Sequence, residues 1–373
     1  MLNVLVTGSQ GFVGKNLCSV LRTMEQVRVI EFDRENTWKE LEGILAEVDV
    51  IFHLAGVNRP KSEEEFRPGN AGLTEEICAT LRKLNRTPKI VLASSIQADL
   101  DNPYGQSKLQ AEQALREFSD ATGACTVVYR FKNLFGKWCR PNYNSVTATF
   151  CHNIAHDLRV TISDPARSIE LTYIDDVVLA LIGEIPVNDG SPETGFAFGA
   201  DLASYSITLG ELAELIESFR QSRRTLVLPG FDSRFVRALY ATYLSYLDGN
   251  DFAYPLNIRT DERGSLAEMM KSEAFGQIFV SRTKPGITRG NHYHHTKTEK
   301  FMVVEGDAVI NFRRIDGTEL IEHRVSGREF RVVDIPPGYT HHITNIGEGE
   351  LVTLFWASEI FHPEQPDTYF LKV

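Results

Sequence analysis

The 373-residue sequence has no run of about 18 apolar residues, so no segment reads as a membrane-spanning helix. Cysteine is scarce. The five present, Cys18, Cys78, Cys125, Cys139 and Cys151, are odd in number and lack any CxxC spacing, which favours reduced thiols in a cytoplasmic protein over a disulfide scaffold. No basic leader precedes Leu2-Asn3-Val4-Leu5-Val6-Thr7-Gly8, and glycine arrives too soon for a signal peptide, so a cytoplasmic location is expected. Positive charge is in deficit, 39 Lys and Arg against 50 Asp and Glu, for a net charge of −11. That balance disfavours nucleic acid and anionic membranes as partners, but leaves room for a local basic pocket that takes a phosphorylated small molecule. Internal repeats and low-complexity tracts are absent too. What is present, 42% hydrophobic and 24% charged residues, is the composition of a folded globular chain. At roughly 150 residues per domain the length predicts two domains.

The two halves have different patterning. Up to about residue 245, short unbroken apolar runs (Val4–Val6, Val27–Phe32, Val50–Leu54, Ile90–Ala93, Cys125–Arg130) alternate with amphipathic stretches (Phe12–Arg22, Trp38–Ala46, Thr74–Leu84, Lys108–Phe118). This is the text of a doubly wound α/β fold, a parallel sheet covered on both faces. Beyond Tyr246, strand-like pieces recur at close spacing between Gly, Pro and Asp turns, which predicts a small all-β barrel or sandwich. The boundary is set in Leu247-Asp248-Gly249-Asn250-Asp251, giving domains 1–246 and 247–373.

Thr7-Gly8-Ser9-Gln10-Gly11-Phe12-Val13-Gly14 lies at the first strand-to-helix junction, where glycines permit a tight turn and close approach of a pyrophosphate to a helix N-terminus. Asp33-Arg34 closes the second strand. An acid there suits the ribose hydroxyls of NAD and an arginine the 2′-phosphate of NADP, so these two residues leave the choice open. Tyr104 and Lys108 stand four apart on a helix and share a face, where an ammonium favours proton exchange by the phenol, and Ser95 can bond the same substrate oxygen.

Together with His53-Leu54-Ala55-Gly56, these residues resemble the extended short-chain dehydrogenase/reductase family, whose Rossmann-type fold is then expected over the first 245 or so residues. The resemblance implies a catalytic set of Ser95, Tyr104 and Lys108. It also implies a cofactor site from Gly8, Gly11, Phe12, Val13, Gly14, Asp33, Arg34, Leu54, Ala55, Gly56, Tyr104 and Lys108. Arg130-Phe131-Lys132-Asn133-Leu134-Phe135-Gly136 is similar to the family's R-x-x-N-x-x-G segment, and Tyr173-Ile174-Asp175-Asp176 to its aromatic-x-D-D segment. Nucleotide-diphosphate sugars are the implied substrates, with Asn133 and Arg167 as contacts and Arg130, Lys132 and Arg140 as further cations for the diphosphate.

In the second half, Gly286, His292, His294, Glu299 and Gly306, followed by Pro336, Gly338, His341 and Asn345, form a spaced frame. Two imidazoles at period two, a carboxylate and a third imidazole can converge inside a barrel and hold a divalent transition metal, with Zn²⁺ the leading candidate. The frame matches both motifs of the cupin family, which implies a jelly-roll barrel with His292, His294, Glu299 and His341 as ligands. It departs from that family at Phe330, where a glycine is usual; Gly327 stands nearby. For acid–base work Tyr339, His342, Lys297 and Lys300 are candidates without a spacing argument.

The pairing of these domains, with Asn291-His292-Tyr293-His294-His295-Thr296-Lys297 and the closing Gln365-Pro366-Asp367-Thr368-Tyr369-Phe370, resembles the bifunctional capsular-polysaccharide enzymes of bacteria. That resemblance implies 3-epimerisation of a UDP-2-acetamido-2,6-dideoxy-4-hexulose in the cupin domain. Reduction of carbon 4 by NADPH would follow in the other domain, giving UDP-2-acetamido-2,6-dideoxy-L-talose, a precursor of N-acetyl-L-fucosamine. It further implies Arg34 as the 2′-phosphate contact and a homodimer. The alternatives are a UDP-sugar 4-epimerase or dehydratase with a structural cupin, or a non-enzymatic module with a sensory one. Ile96-Gln97 after Ser95 offers no dehydrating acid pair, and the intact Ser95, Tyr104 and Lys108 set argues against the module.

Overall fold

Alternate residues of the apolar runs feed opposite faces of one sheet, which is why the runs are unbroken. The computed structural model describes residues 1–60, 62–186 and 194–373. They form two compact units, Met1–Ile216 with Arg237–Leu247, and Glu217–Val236 with Asp248–Val373. The first unit opens with β1 (Leu2–Thr7), α1 (Phe12–Leu21), β2 (Val27–Phe32), α2 (Trp38–Leu45), β3 (Val50–His53), α3 (Leu73–Lys83), β4 (Lys89–Ser95), α4 (Pro103–Thr122) and β5 (Thr126–Phe131). It continues through β6 (Asn133–Phe135), α5 (Val146–Ala155), β7 (Ser168–Tyr173), α6 (Ile174–Gly183), β8 (Phe196–Phe198) and β9 (Tyr205–Thr208). The helices α7 (Leu209–Thr225) and α8 (Arg234–Leu244) follow.

The main sheet has the order β2-β1-β3-β4-β5-β8, and every pairing in it is parallel. On one face Val4, Val6, Phe52, Val91 and Val127 pack with Leu17 and Leu21 of α1 and Val177 and Leu181 of α6. On the other, Leu5, Ile51, Ile90, Leu92 and Val128 pack with Leu41, Ile77 and Leu115. Each such fully buried side chain contributes roughly 1.5–3 kcal/mol of burial free energy. The strand order reverses between β1 and β3, and the crevice at their carboxyl ends is where a doubly wound sheet takes its ligand. A separate three-stranded sheet, β6-β7-β9, carries the later motifs.

The second unit contains β10 (Ile258–Asp261), β11 (Gly264–Ser272), β12 (Gly276–Thr283), β13 (Thr288–Tyr293), β14 (Glu299–Glu305) and β15 (Asp307–Arg314). After them come β16 (Leu320–Ser326), β17 (Val332–Ile335), β18 (Tyr339–Asn345), β19 (Leu351–Ala357) and β20 (Tyr369–Phe370). Two antiparallel sheets, β10-β11-β12-β19-β14-β17 and β16-β15-β18-β13-β20, make the expected jelly roll around Phe301, Ile310, Phe312, Ile343 and Phe355. Residues 217–236 are counted with this unit, not with the first. The Val227–Lys271 bridge and the Arg220–Asp251 ion pair at 3.0 Å tie them there.

Candidate active sites

At the crevice of the first unit, Gly8 adopts φ +69°, and a Cβ there would meet the Ala55 backbone at 2.8 Å. A Cβ on Gly14 would lie 2.2 Å from the Gly8 carbonyl oxygen. The glycines are thus fixed by backbone packed on backbone, with Leu54, Ala55 and Gly56 forming the opposite wall. Gly11 caps α1 without a side-chain hydrogen bond, so the first amides of α1, from Phe12 and Val13 onward, have no intrahelical acceptor, the usual arrangement for receiving a phosphate. The Asp33 carboxylate accepts from Gln10 N and Arg34 N, both at 2.8 Å, so it braces the glycine loop; Arg34 beside it is exposed.

Tyr104 and Lys108 emerge from the first turns of α4. Asn102 caps that helix by accepting from Gly105 N at 2.8 Å, and Pro103 sets its first turn. Lys108 Nζ lies 6.0 Å from the Tyr104 ring centroid and donates to the Ala93 carbonyl at 3.0 Å. Ser95, ending β4, hydrogen-bonds Tyr104, but burial outweighs that bond and raises the phenol's pKa. Burial pushes the Lys108 ammonium down to about 8, opposed by Glu112. The structure therefore brings Ser95, Tyr104 and Lys108 together.

Asn133 begins β6 and donates to the Glu170 carbonyl at 3.1 Å; Arg167, exposed, directly precedes β7. Asn133 lies in the small sheet and Arg167 in the loop that enters it. Arg130, expected among the cations for a diphosphate, is instead held by Glu112 through three hydrogen bonds and by Asp99 at 2.6 Å. A carboxylate four residues after Lys108 and buried against β5 claims the guanidinium first. Lys132 is likewise engaged, donating to Ser204 Oγ at 2.8 Å.

Sequence reasoning missed a residue that joins these pieces. Asn70, buried in a π-helical turn (Pro68–Gly72), accepts from Val57 N at 2.9 Å and donates to the Val57 carbonyl at 3.1 Å and Ser107 Oγ at 2.9 Å. Its carbonyl accepts from Thr74, which bonds His53 Nε2 at 3.0 Å, and His53 Nδ1 meets Thr7 Oγ1 at 2.8 Å. Burial, aided by Lys108, lowers the His53 pKa to about 3, so this ring links the strand ends as a neutral group. Phe66 covers Tyr104, with ring centroids 5.7 Å apart. Pro68-Gly69-Asn70 reads as a loop, and no period betrays a π turn.

In the second unit, His292, His294, Glu299 and His341 present ligand atoms that all lie within 4.8 Å of one another. A β-bulge sets this up. Between Gly290 and His292 the register of β13 on β18 shifts, Asn291 takes φ +63°, and His292 pairs with His341. Glu299 Oε2 lies 3.3 Å from His294 Nε2 and 3.5 Å from His341 Nε2. Those two buried nitrogens make no hydrogen bond, which fits lone pairs arranged for a metal ion. Burial and His341 lower His292 to about 4, leaving it neutral and able to ligate. Among the acid–base candidates, Lys297 is buried with Nζ 4.0 Å from Glu299 Oε1, whereas Lys300 is spent on an ion pair with Asp334.

Residues 4–183 match the NAD dependent epimerase/dehydratase family, and residues 259–369 the polysaccharide biosynthesis C-terminal domain. The chain is 43% identical over 372 residues to the UDP-2-acetamido-2,6-beta-L-arabino-hexul-4-ose reductase of Pseudomonas aeruginosa, covering 100% of this chain and 99% of that protein. The crystal structure of the capsular polysaccharide assembling protein CapF from Staphylococcus aureus superposes with a TM-score of 0.91 at 47% identity over 100% of both chains. A UDP-glucuronic acid 4-epimerase from Bacillus cereus, 17% identical with a TM-score of 0.54, shares the fold over 66% of this chain.

Proposed function

The chain belongs to the family of UDP-2-acetamido-2,6-beta-L-arabino-hexul-4-ose reductases, nicotinamide-dependent enzymes, and from that membership we propose a two-step conversion of one nucleotide sugar. The cupin domain, 247–373, epimerises carbon 3 of a UDP-2-acetamido-2,6-dideoxy-4-hexulose. The reductase domain, 1–246, then reduces the carbon 4 ketone with NADPH to UDP-2-acetamido-2,6-dideoxy-L-talose, for capsule or related polysaccharide.

The observation that carries this reading is the Ser95, Tyr104 and Lys108 constellation beside an interlocked glycine loop. NADPH, when bound, supplies the hydride to carbon 4. Ser95 and Tyr104 orient the carbonyl oxygen, and Tyr104 Oη gives that oxygen its proton while the Lys108 ammonium stabilises the phenolate left behind. The engagement of both Asp33 oxygens with backbone amides supports Arg34 as the group for a 2′-phosphate, hence NADPH. Asn133 and Arg167 are assigned to the UDP-sugar. His292, His294, Glu299 and His341 would hold Zn²⁺, which supplies Lewis acidity when bound. The ketone acidifies the carbon 3 hydrogen, and reduction removes that acidity, so the second step locks in the new stereochemistry. A homodimer, a cytoplasmic location and the absence of nucleic acid or membrane partners complete the proposal; no described helix is long and apolar enough to cross a membrane.

The test is incubation with a UDP-4-keto-6-deoxy-HexNAc in deuterated buffer, with and without NADPH. Tyr104→Phe is expected to lower NADPH oxidation about 10²–10⁴-fold, the worth of a placed general acid, while deuterium still enters carbon 3. His292→Ala is expected to lose metal and the exchange at carbon 3. Wild-type NADPH oxidation by Tyr104→Phe sinks the reductase assignment, and purified wild-type protein that contains no metal sinks the zinc assignment.

A further inference from the structure

The segment from Asp367 onward lies across the strands that carry the histidines. β20 pairs with β13 at His292 and Tyr293, Leu371 N donates to the Asn291 carbonyl at 3.0 Å, and Thr340 Oγ1, beside His341, donates to the Leu371 carbonyl. Asp367 begins it. Its carboxylate accepts from the consecutive amides of His295 at 2.9 Å, Thr296 at 2.7 Å and Lys297 at 2.8 Å, and from Thr296 Oγ1 at 3.0 Å. Its backbone carbonyl faces His294 Nδ1 at 2.5 Å. A carbonyl only accepts, so Nδ1 carries the proton and Nε2 presents its lone pair toward Glu299. The next residue, Thr368, receives a hydrogen bond from Lys297 Nζ at 2.9 Å.

We propose that Asp367 is the positioning residue of the metal centre: its carboxylate pins the 295–297 turn that links His294 to Glu299, and so fixes its own carbonyl on His294. Two ligands, one before this turn and one after it, are set by a single clasp. The inference rests on the metal reading of the cluster. An outer-shell partner of this kind is expected to govern affinity about 10–100-fold without touching the ion.

The test uses the full chain, stripped of metal and titrated with Co²⁺, whose visible absorption reports ligand number and geometry. Asp367→Ala is expected to weaken Co²⁺ binding about 10–100-fold and to alter the absorption bands. Asp367→Asn, which keeps one acceptor oxygen, should lie between that variant and wild type. Asp316→Ala, which removes an exposed partner of Arg314 elsewhere in the barrel, controls for generic loss of an ion pair and should bind as wild type. Thermal unfolding of the metal-free proteins separates clasp from scaffold. Asp367→Asn with unchanged metal-free melting but a reduced Co²⁺-induced shift supports the role, even where Asp367→Ala fails to fold. Wild-type affinity and bands in both Asp367 variants overturn the inference while leaving the metal centre standing. Failure of the wild type to bind Co²⁺ or Zn²⁺ removes the metal reading and the inference with it.

Discussion

Lys108 is only 7% exposed, and its ammonium pays for that burial with a pKa near 8 in place of the usual 10.5. The reductase step needs the charged form beside Tyr104, so NADPH oxidation should fall as pH rises through about 8. The stability linkage has the opposite sign. Between about 8 and 10.5 the unfolded chain binds more protons at this position than the folded one, so its contribution to stability rises with pH across that window. Activity lost above pH 8 with no fall in melting temperature therefore identifies titration and not unfolding. A stopped assay and a melting curve on the same samples check it. Glu112 opposes the burial, so Glu112→Gln should move the alkaline limb to lower pH. Tyr104 and Lys108 were readable because their spacing is itself the chemistry. The fate of Arg130 was not: a cation in a motif gives no sign that Glu112, eighteen positions earlier, will claim it. Asn70 was hidden for a related reason, since its partners Val57 and Ser107 are assembled only by tertiary packing.

Among the elements, glycine positions were the most legible feature, because each marks a backbone shape. Gly286, Gly306 and Gly338 of the barrel motifs all take positive φ, at 72°, 88° and 78°. Phe330, standing where the motif usually has glycine, takes φ +47° and is 62% exposed. A left-handed turn stands here without the residue best suited to it, while Gly327 serves another need: a Cβ there would lie 2.4 Å from the Val304 carbonyl. A left-handed conformation costs an L-residue about 1–2 kcal/mol, and glycine's extra chain entropy returns roughly 0.5–1 kcal/mol of that. Phe330→Gly should therefore stabilise the barrel by about 0.5–1 kcal/mol. Urea unfolding at unchanged m-value measures it, and a loss of stability would show that the Phe330 ring contributes more than its exposure implies. The bulge at Asn291 is the counterexample among elements: it decides that His292 meets His341, yet Gly290-Asn291 reads as an ordinary turn.

For the molecule as a whole, the change of patterning near residue 246 announced two folds, because parallel and antiparallel sheets demand different periodicities. It did not reveal that 217–236 is counted with the barrel unit, since membership there depends on pairing at Lys271 and Asp251 and not on composition. Each unit has its own core, one built on β1, β3, β4 and β5 and the other on β14, β15, β18 and β19. Separate cores allow separate unfolding transitions. NADPH has its proposed site wholly in the first unit and Zn²⁺ wholly in the second. Each ligand then stabilises only the unit that binds it, by about 2.7 kcal/mol at a hundredfold excess over its Kd. Scanning calorimetry should resolve two transitions, with NADPH raising one, Zn²⁺ raising the other, and a chelator lowering only the second. The Tyr104→Phe chain should keep the zinc-sensitive shift and His292→Ala should lose it. A single transition that moves with either ligand would mean the two cores melt as one cooperative body.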